Sequence, residues 1–143
     1  MSEEPKRCDR KYTSYAEADK LLVNFVEEAE TDSIWVSVDA QELTENRLGN
    51  EFCKIISTAL DTAKATCILV GPPNNRFIRF RSRKVQNQAL IKIQYSCEGA
   101  PPGSNREMAD LKNRITKAGG YLKYQIDEDV GGINIAIPMK QTG

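Results

Sequence analysis

The chain contains no histidine among its 143 residues. That excludes Ser-His-Asp and Cys-His nucleophilic catalysis, and it excludes histidine as a general base. No phosphoacceptor histidine lies within this sequence, and none is available to ligate a haem iron. Net charge is missing as well, because 20 basic residues balance 20 acidic ones. A neutral total gives no global field to steer nucleic acid or an anionic membrane, so neither is expected as a partner. No apolar run approaches the roughly 18 residues that a membrane-crossing helix needs. The N-terminus, Met1-Ser-Glu-Glu-Pro-Lys-Arg7, lacks the apolar centre of a signal peptide. A cytoplasmic location is expected, possible also for the cytoplasmic part of a membrane sensor. The four cysteines, Cys8, Cys53, Cys67 and Cys97, include no CxxC pair. Reduced thiols are therefore expected, and no zinc site.

What is present reads as one domain with a real core. The length fits a single unit, and hydrophobic residues make up 40% of it. Residues 1–13 form a polar tail and residues 14–140 the domain. Ser14-Tyr-Ala-Glu17 has the form of a capping box. Leu21, Leu22, Phe25, Val26 and Ala29 then line one stripe of a helix that stops at Thr31-Asp32. Ser33–Asp39 alternates with period two and places Ile34, Val36 and Val38 on one face of a strand. With Thr44 as N-cap, a second helix is expected over residues 45–65, its apolar face carrying Leu48, Phe52, Ile55, Ile56, Ala59, Leu60 and Ala63.

The apolar run Cys67–Val70 reads as a short further strand, stopped by Gly71-Pro-Pro-Asn-Asn75. Arg76–Arg83 and Ala89–Tyr95 form a hairpin that turns at Gln86–Gln88. Cys97–Gly103 is a Gly/Pro loop, and Ser104-Asn-Arg-Glu107 is a second capping box. Met108, Leu111, Ile115 and Ala118 line a third helix. Gly119-Gly120 stops it, because glycine accepts the left-handed C-cap conformation at little cost. Tyr121–Ile126 and Ile133–Ile137 close the chain as a hairpin around Asp129–Gly132. Three amphipathic helices need one apolar surface to lie on. The expected fold is an α/β two-layer sandwich, a mixed and mostly antiparallel sheet with three helices on one face.

The order of these elements resembles the GHKL (Bergerat-fold) ATPase superfamily, specifically the ATP-binding domain of sensor histidine kinases. The accessory-gene-regulator type of peptide-signalling kinase is the nearest pattern. Arg76–Arg83, Ala89–Tyr95, Gly119-Gly-Tyr-Leu-Lys123 and Ile133–Pro138 carry the resemblance, which runs from about Ala16 to Met139. It implies Mg-ATP as cofactor and phosphotransfer to a histidine on an upstream phosphoacceptor and dimerisation domain. A response regulator as partner, and a homodimer in the full-length protein, follow from the same resemblance.

The resemblance also places the site. The family's second helix carries an acid, then an Asn that binds magnesium, then a further acid. Ser57-Thr58-Ala-Leu-Asp61 stands there, so Ser57 replaces the acid and Thr58 the Asn. A threonine hydroxyl is a poorer hard-cation ligand than an amide carbonyl, and Ser57 is no base at neutral pH. Glu45-Asn46 is an intact acid-Asn pair at the predicted helix start. Asn46 or Asn50 is the alternative magnesium ligand. The adenine-reading motif corresponds to Ser96-Cys-Glu98-Gly99. The glycines that should cradle phosphate are absent from Ser104–Ala109, with only Gly99 and Gly103 nearby. The resemblance thus implies a kinase-type ATPase domain with a degraded nucleotide site. The alternative is a non-catalytic interaction module of the same fold. A third reading is RNA binding through the basic strand 76–84. Alternation there puts Phe77, Arg79, Arg81 and Arg83 on one side, with Ile78 and Phe80 on the other.

Overall fold

The structure, a computed structural model, describes residues 11–45, 48–97 and 105–139, with side chains from 108 onward in the last segment. The elements run α1 (Ala16–Thr31), β1 (Trp35–Asp39), α2 (Asn50–Cys67), a 3-10 turn at Pro73–Asn75, β2 (Phe77–Val85), β3 (Gln88–Ser96), α3 (Asn105–Lys117), β4 (Tyr121–Asp127) and β5 (Val130–Pro138). The five strands form one sheet in the order β1-β2-β3-β5-β4. Only β1 and β2 are parallel, as the helical crossover α2 between them requires. The other three pairings are antiparallel. This is the mixed sheet with three helices expected from the pattern.

The helices pack side by side over one face. The core runs through Leu22 and Phe25 of α1, Ile55, Ile56 and Ala59 of α2, and Leu111 and Ile115 of α3. Beneath them lie Ile78 and Phe80 of β2, Ile91 and Ile93 of β3, and Ile133 and Ile135 of β5. Burying each such side chain is worth about 1.5–3 kcal/mol. The strict alternation in β2 leaves Arg79 and Arg81 exposed between buried Ile78, Phe80 and Ser82.

Several local expectations are corrected. No Ser14 capping bond forms; α1 is capped by Tyr15 without a side-chain bond. Asp19 instead ties down the segment before the helix, its Oδ1 accepting from the amides of Tyr12 (2.6 Å) and Thr13 (3.2 Å). Thr13 is buried and donates to the Leu43 carbonyl at 2.5 Å, so the last residues of the expected polar tail are packed against the domain. Helix α2 starts at Asn50, not at residue 45, behind Gly49 with φ of 56°. The apolar run at 67–70 is not a strand. Cys67 ends α2, its side chain buried, and Ile68 and Leu69 form an exposed turn. The closing hairpin turns at Glu128–Asp129, so Gly131 and Gly132 lie inside β5. The expected Ser104 capping box falls outside the described residues.

The Gly119-Gly120 stop is as expected. Gly119 has φ of 85°, and the Gly120 amide donates back to the Ile115 carbonyl at 2.9 Å. A Cβ at Gly120 would stand 2.0 Å from the Ala136 carbonyl oxygen, so only glycine lets α3 turn so closely under β5.

Candidate functional site

Helix α2 carries the residues that the sequence singled out, and its rotation distributes them. Ser57 and Asp61 sit one turn apart and face α1. With Leu21, Asn24, Phe25 and Glu28 they line a cleft of about 300 Å³ between the two helices. Lys64, on the same flank, reaches Asp32 at 3.4 Å and Glu28 at 3.7 Å, which ties α2 to the acidic outer side of α1. Thr58 is rotated by one residue, about 100°. It lies two turns beyond Glu51, on the flank facing α3, where Glu51 pairs with Arg114 at 3.4 Å. The Thr58 carbonyl accepts from the Thr62 hydroxyl at 2.8 Å, and the Thr62 carbonyl from Thr66 at 3.4 Å. Both of those threonines are buried and spend their hydroxyls on their own helix.

Ser96 is elsewhere. It is buried at the end of β3, and its Oγ accepts from the Phe77 amide at 3.0 Å. The same oxygen lies 3.3 Å from Cys67 Sγ. It therefore joins β3, β2 and the end of α2. Burial pushes the Cys67 thiol above its ordinary range, with the Ser96 contact opposing. Asn50 is the first residue of α2 and is exposed. Glu45 precedes α2. Asn46, Glu98, Gly99 and Gly103 lie outside the described residues.

Magnesium takes near-octahedral oxygen ligands at about 2.0–2.1 Å. The described candidates do not converge on such a point: Ser57 and Asp61 open towards α1, Thr58 towards α3, and Ser96 is engaged beyond the end of α2. Among the described residues no group of three Cys, Asp or Glu side chains is placed to hold a metal ion. Cys53, Cys67 and Cys97 carry free thiols.

The sheet between α2 and α3 holds a feature that sequence reading missed. Tyr95 is fully buried, and its hydroxyl and that of Tyr124 have no hydrogen-bond partner. Burial is the largest cause pushing both phenols up, and the two hydroxyls lie near enough that each affects the other's titration. Strand parity was the available signal: Tyr95 shares the inward side of β3 with Ile91 and Ile93.

Among the described residues no helix covers the opposite face of the sheet. Arg79 lies over the rings of both Phe77 (5.2 Å) and Trp35 (5.8 Å). Arg83 holds Asp39 at 2.9 Å, and that hydrogen bond keeps the Asp39 carboxyl below its usual range. A broad hollow of about 530 Å³ follows, bordered by Arg81, Lys92, Tyr121 and Lys123.

Comparison with known proteins gives a fold and no family. No family model matches the chain, and no curated protein matches it. Solved structures do. The histidine kinase domain of the Erythrobacter litoralis blue-light activated histidine kinase aligns over 86% of this chain and 72% of its own, at 16% identity and a TM-score of 0.62. The Acinetobacter baumannii histidine kinase AdeS aligns over 88% of this chain and 64% of its own, at 15% identity and a TM-score of 0.65. The catalytic domain of histidine kinase ThkA aligns over 85% and 90%, at 15% identity and a TM-score of 0.64. This chain spans less than two thirds of the AdeS chain. It has the fold of histidine kinase catalytic domains. Among the described residues no helix is long and apolar enough to cross a membrane.

Proposed function

We propose that this chain is the catalytic-type domain of a sensor-kinase-like signalling protein whose nucleotide site is weakened. In this reading it contributes docking to partner domains rather than phosphotransfer. The fold supports the kinase-type reading, and the residue types on α2 support the weakening, since Ser57 is no base at neutral pH and Thr58 offers a hydroxyl in place of an amide carbonyl. That pair is the observation that carries the proposal. A kinase domain of this type has to present a magnesium ligand and an acid to one phosphate chain. Here Thr58 has only a hydroxyl to offer, and Asp61 opens towards a different neighbour. The Ser96 hydroxyl, on the adenine-reading side of the resemblance, is committed to the Phe77 amide.

The expected partners are those of two-component signalling, namely an upstream phosphoacceptor and dimerisation domain and a response regulator. A nearer kinship to the accessory-gene-regulator type of kinase belongs to the same proposal. Incubating the domain with labelled Mg-ATP and its full-length parent's phosphoacceptor domain tests it. The expected result is no base-stable, acid-labile phosphohistidine. Label appearing at the rate of a competent kinase overturns the proposal.

A further inference from the structure

The neutral total of the chain conceals a separation of charge. Helix α1 turns Glu17, Glu27 and Glu30 outward, while the helix-free sheet face is basic. On that face Arg81 stands directly across from Lys92, and Lys123 lies on the same row beyond Asn134. Like charges placed directly opposite destabilise a sheet. None of the three forms an ion pair with a described residue; the ion pair of this face joins Arg83 to Asp39. Asp39 ends this row as the ladder partner of Arg81, but its carboxylate is bonded to Arg83, and Lys92 and Lys123 form no ion pair with a described residue, which suits the row to an external polyanion.

The aromatic residues define which polyanion. Trp35 is 58% exposed and Tyr121 is 57% exposed, so both rings are open to solvent on this face. Trp35 and Phe77 are ladder partners at one corner of the face, and Tyr121 marks the opposite corner, level with Arg83. From Trp35 to Tyr121 the offset is roughly 19 Å across four strand spacings and roughly 20 Å along the strands. The cationic row crosses this diagonal between the two aromatic corners. The turn residues Asp127, Glu128 and Asp129 close the face at one end with negative charge, which turns an anionic chain onto the diagonal. Amides of Gln94, Gln125 and Asn134 lie on the same side and can bond base edges and 2′-hydroxyls.

We infer that the open sheet face binds single-stranded RNA, with bases stacked on Trp35 and Tyr121 and the backbone held by Arg81, Lys92 and Lys123. Stacking rings on either side of a cationic row match bases joined by phosphates better than they match an acidic peptide, which has no rings to stack. The inference is independent of the nucleotide site, since every residue in it lies on the other side of the sheet.

Trp35 is the chain's single tryptophan, so its fluorescence reports this corner directly. Decauridylate added to the whole chain at low salt is expected to quench it saturably, with affinity falling steeply as salt rises. Arg81→Ala with Lys92→Ala should weaken binding and flatten the salt dependence by about one unit of slope per cation removed. Tyr121→Ala should weaken binding roughly five- to hundred-and-fifty-fold and leave the salt slope unchanged. Lys112→Ala, on the exposed side of α3, should change nothing. Absence of saturable quenching at low salt overturns the inference. So does equal binding of a polyglutamate of the same length that is indifferent to Tyr121→Ala, which would mark a docking face for acidic protein.

Discussion

Tyr95 lies so closely over Gly131 that a Cβ at 131 would stand 2.3 Å from Cζ and 2.6 Å from the hydroxyl oxygen. The ring occupies the space that a side chain on β5 would need, and its hydroxyl remains unbonded there. Leaving a buried donor unsatisfied costs about 1–3 kcal/mol. Tyr95→Phe keeps the ring and removes that cost, so it should raise stability by about 1 kcal/mol. Gly131→Ala should lower it by about 1–3 kcal/mol, because the ring has to shift within a packed core. Urea denaturation midpoints at pH 7 measure both; a loss of stability in Tyr95→Phe contradicts the geometry.

The alkaline limit of stability follows from the same residues. The phenols of Tyr15, Tyr95 and Tyr124 are all raised in the folded chain, with burial the largest cause. An unfolded tyrosine ionises near about 10, before the folded one can. Their contribution is therefore complete below that value and is lost as pH rises above it. Midpoints measured from pH 8 to 11 should fall at the top of this range, and the fall should be shallower in Tyr95→Phe. Identical slopes in the two proteins would remove Tyr95 from the explanation.

Helix α3 is held by few residues, and two of them are decisive. Leu111 and Ile115 are fully buried, a turn apart, with half-buried Met108 beside them and Lys112, Asn113, Arg114, Thr116 and Lys117 exposed. Truncating either to Ala should cost roughly 2–5 kcal/mol. An unmoved denaturation midpoint for either variant would show that α3 does not pack on the sheet as described.

The thiols should separate by burial. In a Cys8→Ser background, native-state labelling at pH 8 should modify half-buried Cys53 first. Cys67 and Cys97 should react only as the chain unfolds. Cys67 is protected twice, by enclosure and by a thiol pushed up by burial. Rapid labelling of Cys67 without denaturant would mean that the end of α2 opens freely.

Periodicity made the layers of this fold legible, since Leu22, Phe25, Ile55, Ala59, Leu111 and Ile115 reveal their buried faces by spacing alone. Gly119-Gly120 was legible for a different reason: a helix end needs a left-handed residue there. Gly131-Gly132 looked equally like a turn, yet their smallness admits Tyr95, a contact across 36 residues that no local pattern encodes. The start of α2 was misplaced because Leu48 extends the apolar period across Gly49, whose positive φ ends the helix. Cys67–Val70 has strand composition, but only Cys67 and Val70 are buried, and the chain turns between them. At the site, one residue of helical rotation separates Ser57 from Thr58, and a one-dimensional motif does not show which neighbour each will face. The open face was half visible: alternation placed Arg79, Arg81 and Arg83 together, whereas Lys92, Lys123, Trp35 and Tyr121 join them only through strand order.

Whether a tight nucleotide site survives on this kinase-type fold is read from a thermal melt with and without millimolar Mg-ATP. A ligand present at a hundred times its dissociation constant stabilises the folded state by about 2.7 kcal/mol. With the site weakened, Mg-ATP should give no resolvable shift in melting temperature beyond that produced by magnesium alone. A magnesium-dependent stabilisation of about 2.7 kcal/mol or more, lost in Thr58→Ala, would show that a tight nucleotide site survives on α2 and that the weakening is wrong.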